Sequence, residues 1–386
     1  MRILQVGKYY PPVDGGIENN VRALSVGLAS RYEVTALVFN TARRTTDELI
    51  EGVRVVRVGT LGKILSTEMA PGFLPWFRRL MHADVIHLHT PNPIGELACL
   101  LAPARARLLI TYHSDVVKQR LLGKANRILL HRLKRRADRV IAYTQRYLET
   151  SPVIRHYEAK SAIIPHGVEL TEFEATPAIL ERARQLRLAH GSRLALFVGR
   201  LVYYKGVDVL LRAIAKLDGV RLMIVGDGPM RSELETLARQ LGVMDRTIMI
   251  GRASHAEKVA CYHACDFLVL PATHRSEAFG QVQVEALACG KPVICTNIDS
   301  GVPFVSRHEE TGFVVEPMDV DGLAAAMRKL FDDTALRERF GAAGRRRAEA
   351  LFSREVMVRD SLALYEDLLR GRTSAAPASN GSGGAL

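Results

Sequence analysis

Short apolar segments that alternate with longer amphipathic segments constrain the fold of this 386-residue chain most strongly. The apolar segments are continuous runs of leucine and β-branched residues, which is typical of parallel strands buried on both faces. They form two series. The first comprises 3–7, 34–39, 53–59, 85–89, 108–113, 140–144 and 162–167, and the second comprises 194–200, 221–227, 247–252, 267–273, 292–296 and 312–316. This pattern predicts an α/β fold of two Rossmann-like, doubly wound domains that face each other across a cleft.

The domain boundary is predicted near residues 166–178, where the sequence becomes acidic and the periodicity breaks. We therefore expect one Rossmann-like domain over 1–170 and a second over 171–354. A further helical pattern covers 355–370. The tail, 372–386, is small, polar and rich in proline and glycine, so we expect it to be disordered.

Composition excludes several classes of protein. No apolar run approaches the roughly 18 residues that a membrane-spanning helix needs, and the amino-terminal residues suggest a buried first strand, not a signal peptide. The five cysteines include no C-x-x-C pair, which favours reduced thiols in the cytoplasm over disulfides or a zinc site.

Charge is distributed unevenly along the chain. The net charge is +12, with 25 basic and 14 acidic residues up to Leu170 but 28 and 27 after it. This one-sided excess indicates that the amino-terminal half faces an anionic partner.

The first candidate site is the motif FVGRLVYYKG, residues 197–206. A predicted strand ends at Gly199, Arg200 follows it, and Lys205 directly precedes a predicted helix. A planar guanidinium and a compact ammonium near a helix amino terminus suit the oxygens of a diphosphate. Such fixed cations can stabilise a diphosphate leaving group without a metal. The alternative is two cations on a surface loop, but their position at a strand end and a helix start favours a binding role.

The second candidate site lies in LVLPATHRSEAFGQVQVEALACG, residues 268–290. Glu277 precedes a predicted helix, and Glu285 lies within it among apolar neighbours, where a carboxylate needs a partner. Carboxylates accept hydrogen bonds from vicinal hydroxyls, which ribose and hexoses both carry. The backbone amides at the helix start suit a phosphate or sugar oxygen. These amides belong to Phe279, Gly280, Gln281 and Val282.

Two further candidates lie in the first half of the chain. Gly15–Gly16 follow the first strand, where glycine lets the backbone approach a ligand closely; a loop that merely needs positive φ explains them too. His113 ends a strand, and we expect its neutral imidazole to project into the cleft and to hydrogen-bond a sugar hydroxyl. His87 and His89 lack a carboxylate or cysteine at a useful spacing, so we predict no metal site there.

The segment 118–139 carries nine basic residues and no acid before Asp138. Interspersed leucines give it an apolar component, and basic amphipathic helices lie on anionic membrane surfaces. A solvated arginine-rich helix is the alternative. Nucleic acid is disfavoured as a partner because no aromatic residue is available in this segment for base stacking.

Together these motifs resemble glycosyltransferase family 4. The motifs are GG (15–16), HSD (113–115), GRLVYYKG (199–206), GDGP (226–229) and EAFGQVQVE (277–285), which follow the family's order within 1–370. The resemblance implies a retaining enzyme of the GT-B fold that needs no metal or other cofactor. It also implies that the helix 355–370 crosses back onto the amino-terminal domain.

The resemblance implies roles for individual residues as well. The diphosphate of a nucleotide-sugar donor would contact Gly15, Gly16, Arg200 and Lys205. The ribose would contact Glu285, and the nucleobase would border Gly251 and Arg252. The transferred sugar would contact Glu277, Ala278, Phe279 and Gly280, and His113 would lie near the reacting sugar. The residues predicted to take part in catalysis are His113, Arg200, Lys205 and Glu277. His166, in PHGVE, replaces the family's more usual asparagine and is assigned no role.

The predicted function is transfer of a hexosyl group, with GDP-mannose or GDP-rhamnose favoured as donor. The expected acceptor is a glycan or a polyprenyl-diphosphate-linked oligosaccharide in bacterial cell-surface polysaccharide or lipopolysaccharide synthesis. The expected location is the cytoplasm, on the inner face of the cytoplasmic membrane. An epimerase or a phosphorylase on the same fold stays open, as does a non-catalytic protein that binds anions or nucleic acid.

Overall fold

The computed structural model describes residues 1–13, 15–64, 67–103, 105–113 and 131–373. The chain forms two large sheets, and each has an apolar core on both of its faces. The α/β class with two doubly wound regions is therefore confirmed. The described part of the chain contains no helix that is both long and apolar enough to cross a membrane.

The amino-terminal sheet has eight strands in the order β10-β9-β8-β7-β1-β2-β4-β3, and a separate hairpin pairs β5 with β6. These strands are β1 (Arg2–Val6), β2 (Glu33–Phe39), β3 (Thr46–Ile50), β4 (Val53–Val58), β5 (Lys63–Ile64), β6 (Thr67–Glu68), β7 (Val85–Thr90), β8 (Arg107–Tyr112), β9 (Arg139–Ala142) and β10 (Ser161–Ile163). Only β3 runs antiparallel to its neighbour in the eight-stranded sheet.

The carboxyl-terminal sheet has six parallel strands in the order β13-β12-β11-β14-β15-β16. They are β11 (Leu194–Val198), β12 (Arg221–Val225), β13 (Thr247–Gly251), β14 (Phe267–Leu270), β15 (Val293–Thr296) and β16 (Gly312–Val315). The order reverses between β11 and β14. Loops that follow these two strands therefore open a crevice at the carboxyl edge of the sheet, where such folds bind ligands.

Helices connect the strands of both sheets. They are α1 (Gly16–Ala29), α2 (Phe73–Leu80), α3 (Pro93–Cys99), α4 (Gln145–Thr150), α5 (Pro177–His190), α6 (Val207–Ala215), α7 (Arg231–Gln240), α8 (His255–Ala264), α9 (Gln281–Ala288), α10 (Val302–Val305), α11 (Val320–Asp332), α12 (Thr334–Leu351) and α13 (Arg354–Thr373). Short 3₁₀ turns cover Arg155–Lys160, Leu170–Phe173, Tyr203–Lys205 and Met244–Arg246.

The last helix, α13, packs against the amino-terminal domain. Met357, Tyr365 and Leu368 are buried in the apolar cluster between the first sheet and α1. Where the chain crosses between domains, its two passages hydrogen-bond to each other: the Val168 amide donates to the Phe352 carbonyl at 2.9 Å, and the Arg354 amide donates to the Val168 carbonyl at 2.8 Å. The domains are thus joined by a short two-stranded connection.

The approach of α13 to α1 depends on a glycine. A Cβ atom at Gly27 would lie 2.3 Å from Cγ2 of Val358, and a valine side chain cannot rotate away easily. Alanine in a helix interior ordinarily stabilises relative to glycine by about 1 kcal/mol. Here we expect Gly27→Ala to lower the free energy of unfolding by about 1–3 kcal/mol, as overpacking does, when measured by denaturant titration.

A double-mutant cycle provides the control. Val358→Ala removes the clashing methyl groups, so Gly27→Ala in that background should cost at least 1 kcal/mol less. Equal costs in the two backgrounds would show that α13 does not pack on α1 at Gly27.

Candidate active site

Three loops of the carboxyl-terminal domain lie side by side at the edge of its sheet. The Gly199 amide donates to Val225, the Leu201 amide to Asp227 and the Gly226 amide to Gly251, at 2.7–3.0 Å. Gly226 has a φ of 135°, and a Cβ atom there would lie 2.0 Å from the Gly199 carbonyl oxygen. Only glycine fits this junction, so the GDGP motif serves close packing of the loops.

The predicted cation and carboxylate of the two main motifs are in contact. Lys205 Nζ lies 2.5 Å from Glu277 Oε2, and only 11% and 12% of these side chains are exposed. Their loops also share a backbone hydrogen bond, from the Thr273 amide to the Tyr204 carbonyl at 2.9 Å. Arg200 begins the same loop as Lys205 but is exposed, and its guanidinium has no hydrogen-bond or ion-pair partner among the described residues.

The helix α9 begins directly after this pair. Gly280 has a φ of 74°, a left-handed conformation that favours glycine, and the preceding Ala278 and Phe279 are buried between the two domains. In the second turn of α9, Glu285 Oε2 accepts from Tyr262 at 2.8 Å and pairs with Lys258 Nζ at 2.9 Å. The expected partner of this buried carboxylate is therefore present.

Of the two predicted glycines of the first domain, Gly16 faces the start of α9. A Cβ atom at Gly16 would lie 3.0 Å from Oε1 of Gln281. Gly15 has an extended φ of 175°, and Gly16 does not have a positive φ. Close approach to Gln281, and not a positive φ, therefore accounts for Gly16, whereas a Cβ atom at Gly15 would meet only the Glu18 side chain of the same helix. The amino termini of α1 and α9 converge here from opposite domains.

A cavity of about 390 Å³ opens beside this junction. Gln281 and Glu285 line it together with Asn19, Arg22, Glu169, Glu172, Phe173, His255, Lys258, Arg354 and neighbouring residues. Arg200, Lys205 and Glu277 do not line this cavity. Gly16, Lys205 and Glu277 thus lie near the start of α9, but the four predicted residues Arg200, Lys205, Glu277 and Glu285 do not line one common cavity.

Of the other predicted residues, Gly251 lies at the end of β13 and has a φ of 78°. Arg252 is exposed beside it, and Val282 lies in the first turn of α9. Residues 118–130 of the basic segment lie outside the described residues, as do 374–386 of the tail. In the described part, Lys134 is fully buried, with its ammonium 4.1 Å from the centroid of the Tyr112 ring, so this basic residue does not belong to an exposed basic surface.

His113 is buried at the end of β8 and belongs to a chain of hydrogen-bonded side chains. His113 Nε2 lies 3.0 Å from His89 Nδ1, and His89 Nε2 lies 2.8 Å from Gln5 Oε1. The chain runs, in order, through Tyr143, His113, His89, Gln5, Tyr365, His87 and Thr111. Burial lowers the pKa of His113 well below its usual range and that of His89 to about 3. These imidazoles are therefore neutral.

Sequence reasoning missed His166. It is 4% exposed, and its Nε2 donates to the Gly16 carbonyl at 2.9 Å. Its ring stacks on Phe279 with centroids 6.1 Å apart, and Tyr143 packs against both rings. The signal available in the sequence was its position directly after a strand on the cleft side. His166, Tyr143 and Phe279 form an aromatic contact between the domains.

Family models match both halves of the chain. The model described as Glycosyltransferase Family 4 matches residues 14–172, and the model described as Glycosyl transferases group 1 matches residues 179–347. The chain is 32% identical to O-antigen chain mannosyltransferase C of Escherichia coli, over 97% of this chain and 100% of that protein. It is 35% identical to D-rhamnosyltransferase WbpZ of Pseudomonas aeruginosa, over 75% of this chain and 76% of that protein.

A solved structure shares the fold over nearly the whole chain. Sucrose-phosphate synthase from Thermosynechococcus elongatus superposes with a TM-score of 0.79 at 24% sequence identity, covering 96% of this chain and 99% of that one. The fold is the two-domain arrangement known as GT-B. The chain belongs to glycosyltransferase family 4, as its motifs indicated.

The buried histidines predict how stability depends on pH. His87, His89 and His113 stay neutral when folded, whereas in the unfolded chain they bind protons below about pH 6.5. The unfolded state thus binds more protons, and the free energy of unfolding should fall as pH decreases from about 6.5, by about 1.4 kcal/mol per pH unit for each histidine. Denaturant unfolding at pH 7.5, 6.5 and 5.5 measures this slope.

The variant His89→Gln isolates the contribution of one group. Its slope below pH 6.5 should be shallower than that of the unsubstituted protein by about 1.4 kcal/mol per pH unit, whatever its stability at neutral pH. Parallel slopes would mean that His89 is protonated in the folded protein.

Proposed function

We propose that the protein transfers a hexosyl group, with retention of configuration, from a nucleotide diphosphate sugar bound at the start of α9. The observation that carries this proposal is the convergence of the amino termini of α1 and α9 beside the Lys205–Glu277 pair. Helix amino termini favour anions because their first amides are unpaired and their dipoles are positive there. A diphosphate between the domains would satisfy both termini at once.

Individual side chains complete the donor site in this proposal. Arg200, which is exposed, and Lys205 would bind diphosphate oxygens, and Glu285 would accept hydrogen bonds from the ribose hydroxyls. Gly251 and Arg252 would border the nucleobase. Glu277 would bind hydroxyls of the transferred sugar, since a ligand that draws Lys205 toward phosphate leaves this carboxylate free to accept.

The proposed reaction breaks the bond between the anomeric carbon and the diphosphate oxygen. The electron pair leaves with the diphosphate, where the two cations and the helix termini stabilise the developing charge. The acceptor oxygen forms the new glycosidic bond on the same face and gives up its proton to the departing phosphate. We propose that this step requires no metal. His113 would lie near the reacting sugar, and closure of the domains would exclude water.

The relatives suggest which sugar and acceptor to test first. One is an O-antigen mannosyltransferase and another a D-rhamnosyltransferase, so we propose a GDP-mannose-type donor. The proposed acceptor is a hydroxyl of a glycan, and the form to test first is a polyprenyl-diphosphate-linked oligosaccharide of a cell-surface polysaccharide. The proposed location is the cytoplasmic face of the membrane.

Donor binding provides the first test. We expect GDP-mannose or GDP-rhamnose to raise the melting temperature more than UDP-, ADP- or dTDP-sugars do, because a ligand that binds only the folded state stabilises it. Glu285→Gln should weaken donor binding about 10- to 100-fold, which corresponds to about 1.4–2.8 kcal/mol. The matched control is Glu257→Gln, which removes an ion pair with Arg182 outside the cavity and should leave donor affinity unchanged.

Product analysis separates the alternatives. A transferase releases nucleotide diphosphate in proportion to acceptor, also after chelation of divalent metals, whereas an epimerase acts without acceptor and a phosphorylase needs phosphate. A non-catalytic protein would bind anions but convert no donor. Unchanged donor affinity in Glu285→Gln would contradict the role given to that carboxylate.

We further propose that the basic segment 118–139 contacts an anionic membrane surface. In its described part Arg132 and Arg135 are exposed. The double variant Arg132→Gln with Arg135→Gln should therefore bind anionic vesicles more weakly by about 2 kcal/mol, or about thirtyfold in affinity, when binding is measured by sedimentation. Arg239→Gln with Arg346→Gln, two exposed sites on the other domain, serves as the charge-matched control. Equal losses in both double variants would indicate a nonspecific effect of net charge.

A further inference from the structure

The short helix α4 of the first domain contacts two loops of the second domain. Arg146, the second residue of α4, reaches the loop after β15, where its guanidinium donates to Asn297 Oδ1 at 2.9 Å and to Asp299 Oδ1 at 3.1 Å. Asn297 Nδ2 donates to the Glu316 carboxylate at 3.0 Å. Because a guanidinium can only donate and a carboxylate only accepts, both ends of the Asn297 amide are defined. Arg146 thus connects the first domain to the second.

A second arginine makes the opposite contact. Arg275 belongs to the loop after β14, and its Nη1 donates to the Thr150 carbonyl at 2.7 Å. Thr150 is the last residue of α4, where carbonyl groups lack a partner within the helix. The Arg275 guanidinium also lies 5.8 Å from the centroid of the Tyr147 ring, within the range of a cation–π interaction. The first domain therefore offers this cation two favourable groups at one place.

The ring beneath Arg275 belongs to the core of the first domain. Tyr147 is fully buried and stacks on the buried Tyr112, with ring centroids 6.3 Å apart and planes inclined by 25°. The pair of Arg146 and Asp299, by contrast, leaves 39% and 67% of its side chains exposed, and exposed ion pairs contribute little to stability. Arg275 is therefore the stronger of the two connections.

The backbone around Arg275 forms a compact turn that also contains Glu277. The Ser276 amide donates to His274 Nδ1 at 3.1 Å, and the Glu277 amide donates to the His274 carbonyl at 3.1 Å. Arg275 lies inside this turn, two residues before Glu277. A displacement of Arg275 therefore moves Glu277 as well.

We infer that Arg275 is a positioning residue: its anchorage on α4 fixes the turn that carries Glu277 relative to the first domain. Arg146 holds the next loop of the second domain to the same helix. The inference rests on the proposed function insofar as Glu277 binds the transferred sugar and the acceptor approaches from the first domain. The two substrates then meet across the gap between the domains, where a misplacement of about 1 Å can lower the rate about 100-fold.

Substitution of Arg275 tests its role in the reaction. Arg275→Gln should lower kcat about tenfold or more and change the KM for donor less than about threefold, because the donor-binding groups of the second domain stay in place. Arg275→Lys keeps a cation that can donate to the Thr150 carbonyl, so its kcat should lie within about threefold of that of the unsubstituted protein.

The matched control is Arg193→Gln. This substitution removes an ion pair with Asp332 and a contact with the Phe331 ring, both inside the second domain, and should leave kcat and the KM for donor unchanged. If Arg275→Gln has the same kcat as this control, Arg275 has no positioning role and the inference is overturned.

Distances between the domains give a readout that does not depend on catalysis. All five cysteines are buried, and buried thiols react poorly. Spin labels can therefore be attached to cysteines introduced at the exposed Leu49 and Leu97 of the first domain and at the exposed Leu188 of the second. Pulsed EPR of the full-length protein measures each first-domain label against the label at position 188. In Arg275→Gln with Arg146→Gln we expect broader distance distributions, because α4 no longer holds the second domain.

The charge-matched control for the distances is Arg193→Gln with Arg239→Gln, whose ion pairs lie within the second domain. Equal distributions in the two double variants would overturn the inference even if Arg275→Gln lowers kcat, since Arg275 would then act only within its own loop. The distances are read without substrate. Broader distributions in a protein that transfers no sugar would therefore reject the proposed function and support the anchorage of the second domain on α4.

Discussion

The ion pair between Lys205 and Glu277 fixes the geometry on which the candidate site depends. It joins the loop after β11 to the loop after β14, at the point where the strand order reverses. Both groups are nearly buried, so each requires a partner of opposite charge when no ligand is present. An anionic ligand would compete with Glu277 for Lys205. An anionic ligand bound at this edge would therefore change the charged partner of Lys205, while the two loops that carry Lys205 and Glu277 are already in place.

The sequence predicts the parallel strands well because burial on both faces leaves a continuous apolar run. It does not reveal β3, Thr46–Ile50, which is a polar, exposed, antiparallel edge strand with no such signal. The motif residues near the start of α9 could be predicted to converge, since strand ends of one parallel sheet meet at one edge. Burial of Lys134 could not, because it depends on a tertiary contact with Tyr112.

The hydrogen-bonded chain of side chains that contains His89 and His113 could not be predicted from the sequence either. Gln5, His89 and His113 lie on β1, on β7 and just after β8, which are adjacent only because the strand order places β7 between the other two. Nothing in the sequence gives that order, and Tyr365 joins from a helix more than 200 residues away. His166 was likewise assigned no role, although the fold places it against Gly16 and Phe279. These contacts join residues that are distant in the sequence, and a sequence motif does not show which distant residues meet in the fold.

The return of α13 to the first domain has a consequence for biosynthesis. Residues 2–163 leave the ribosome first, but the apolar cluster that contains Ile3 and Leu109 also needs Met357 and Leu368. The apolar clusters of the second domain contain residues up to Phe352, so all of its core residues precede Met357 and Leu368 in the chain. The domain whose first strand is synthesised earliest is therefore the one that receives its last core residues latest.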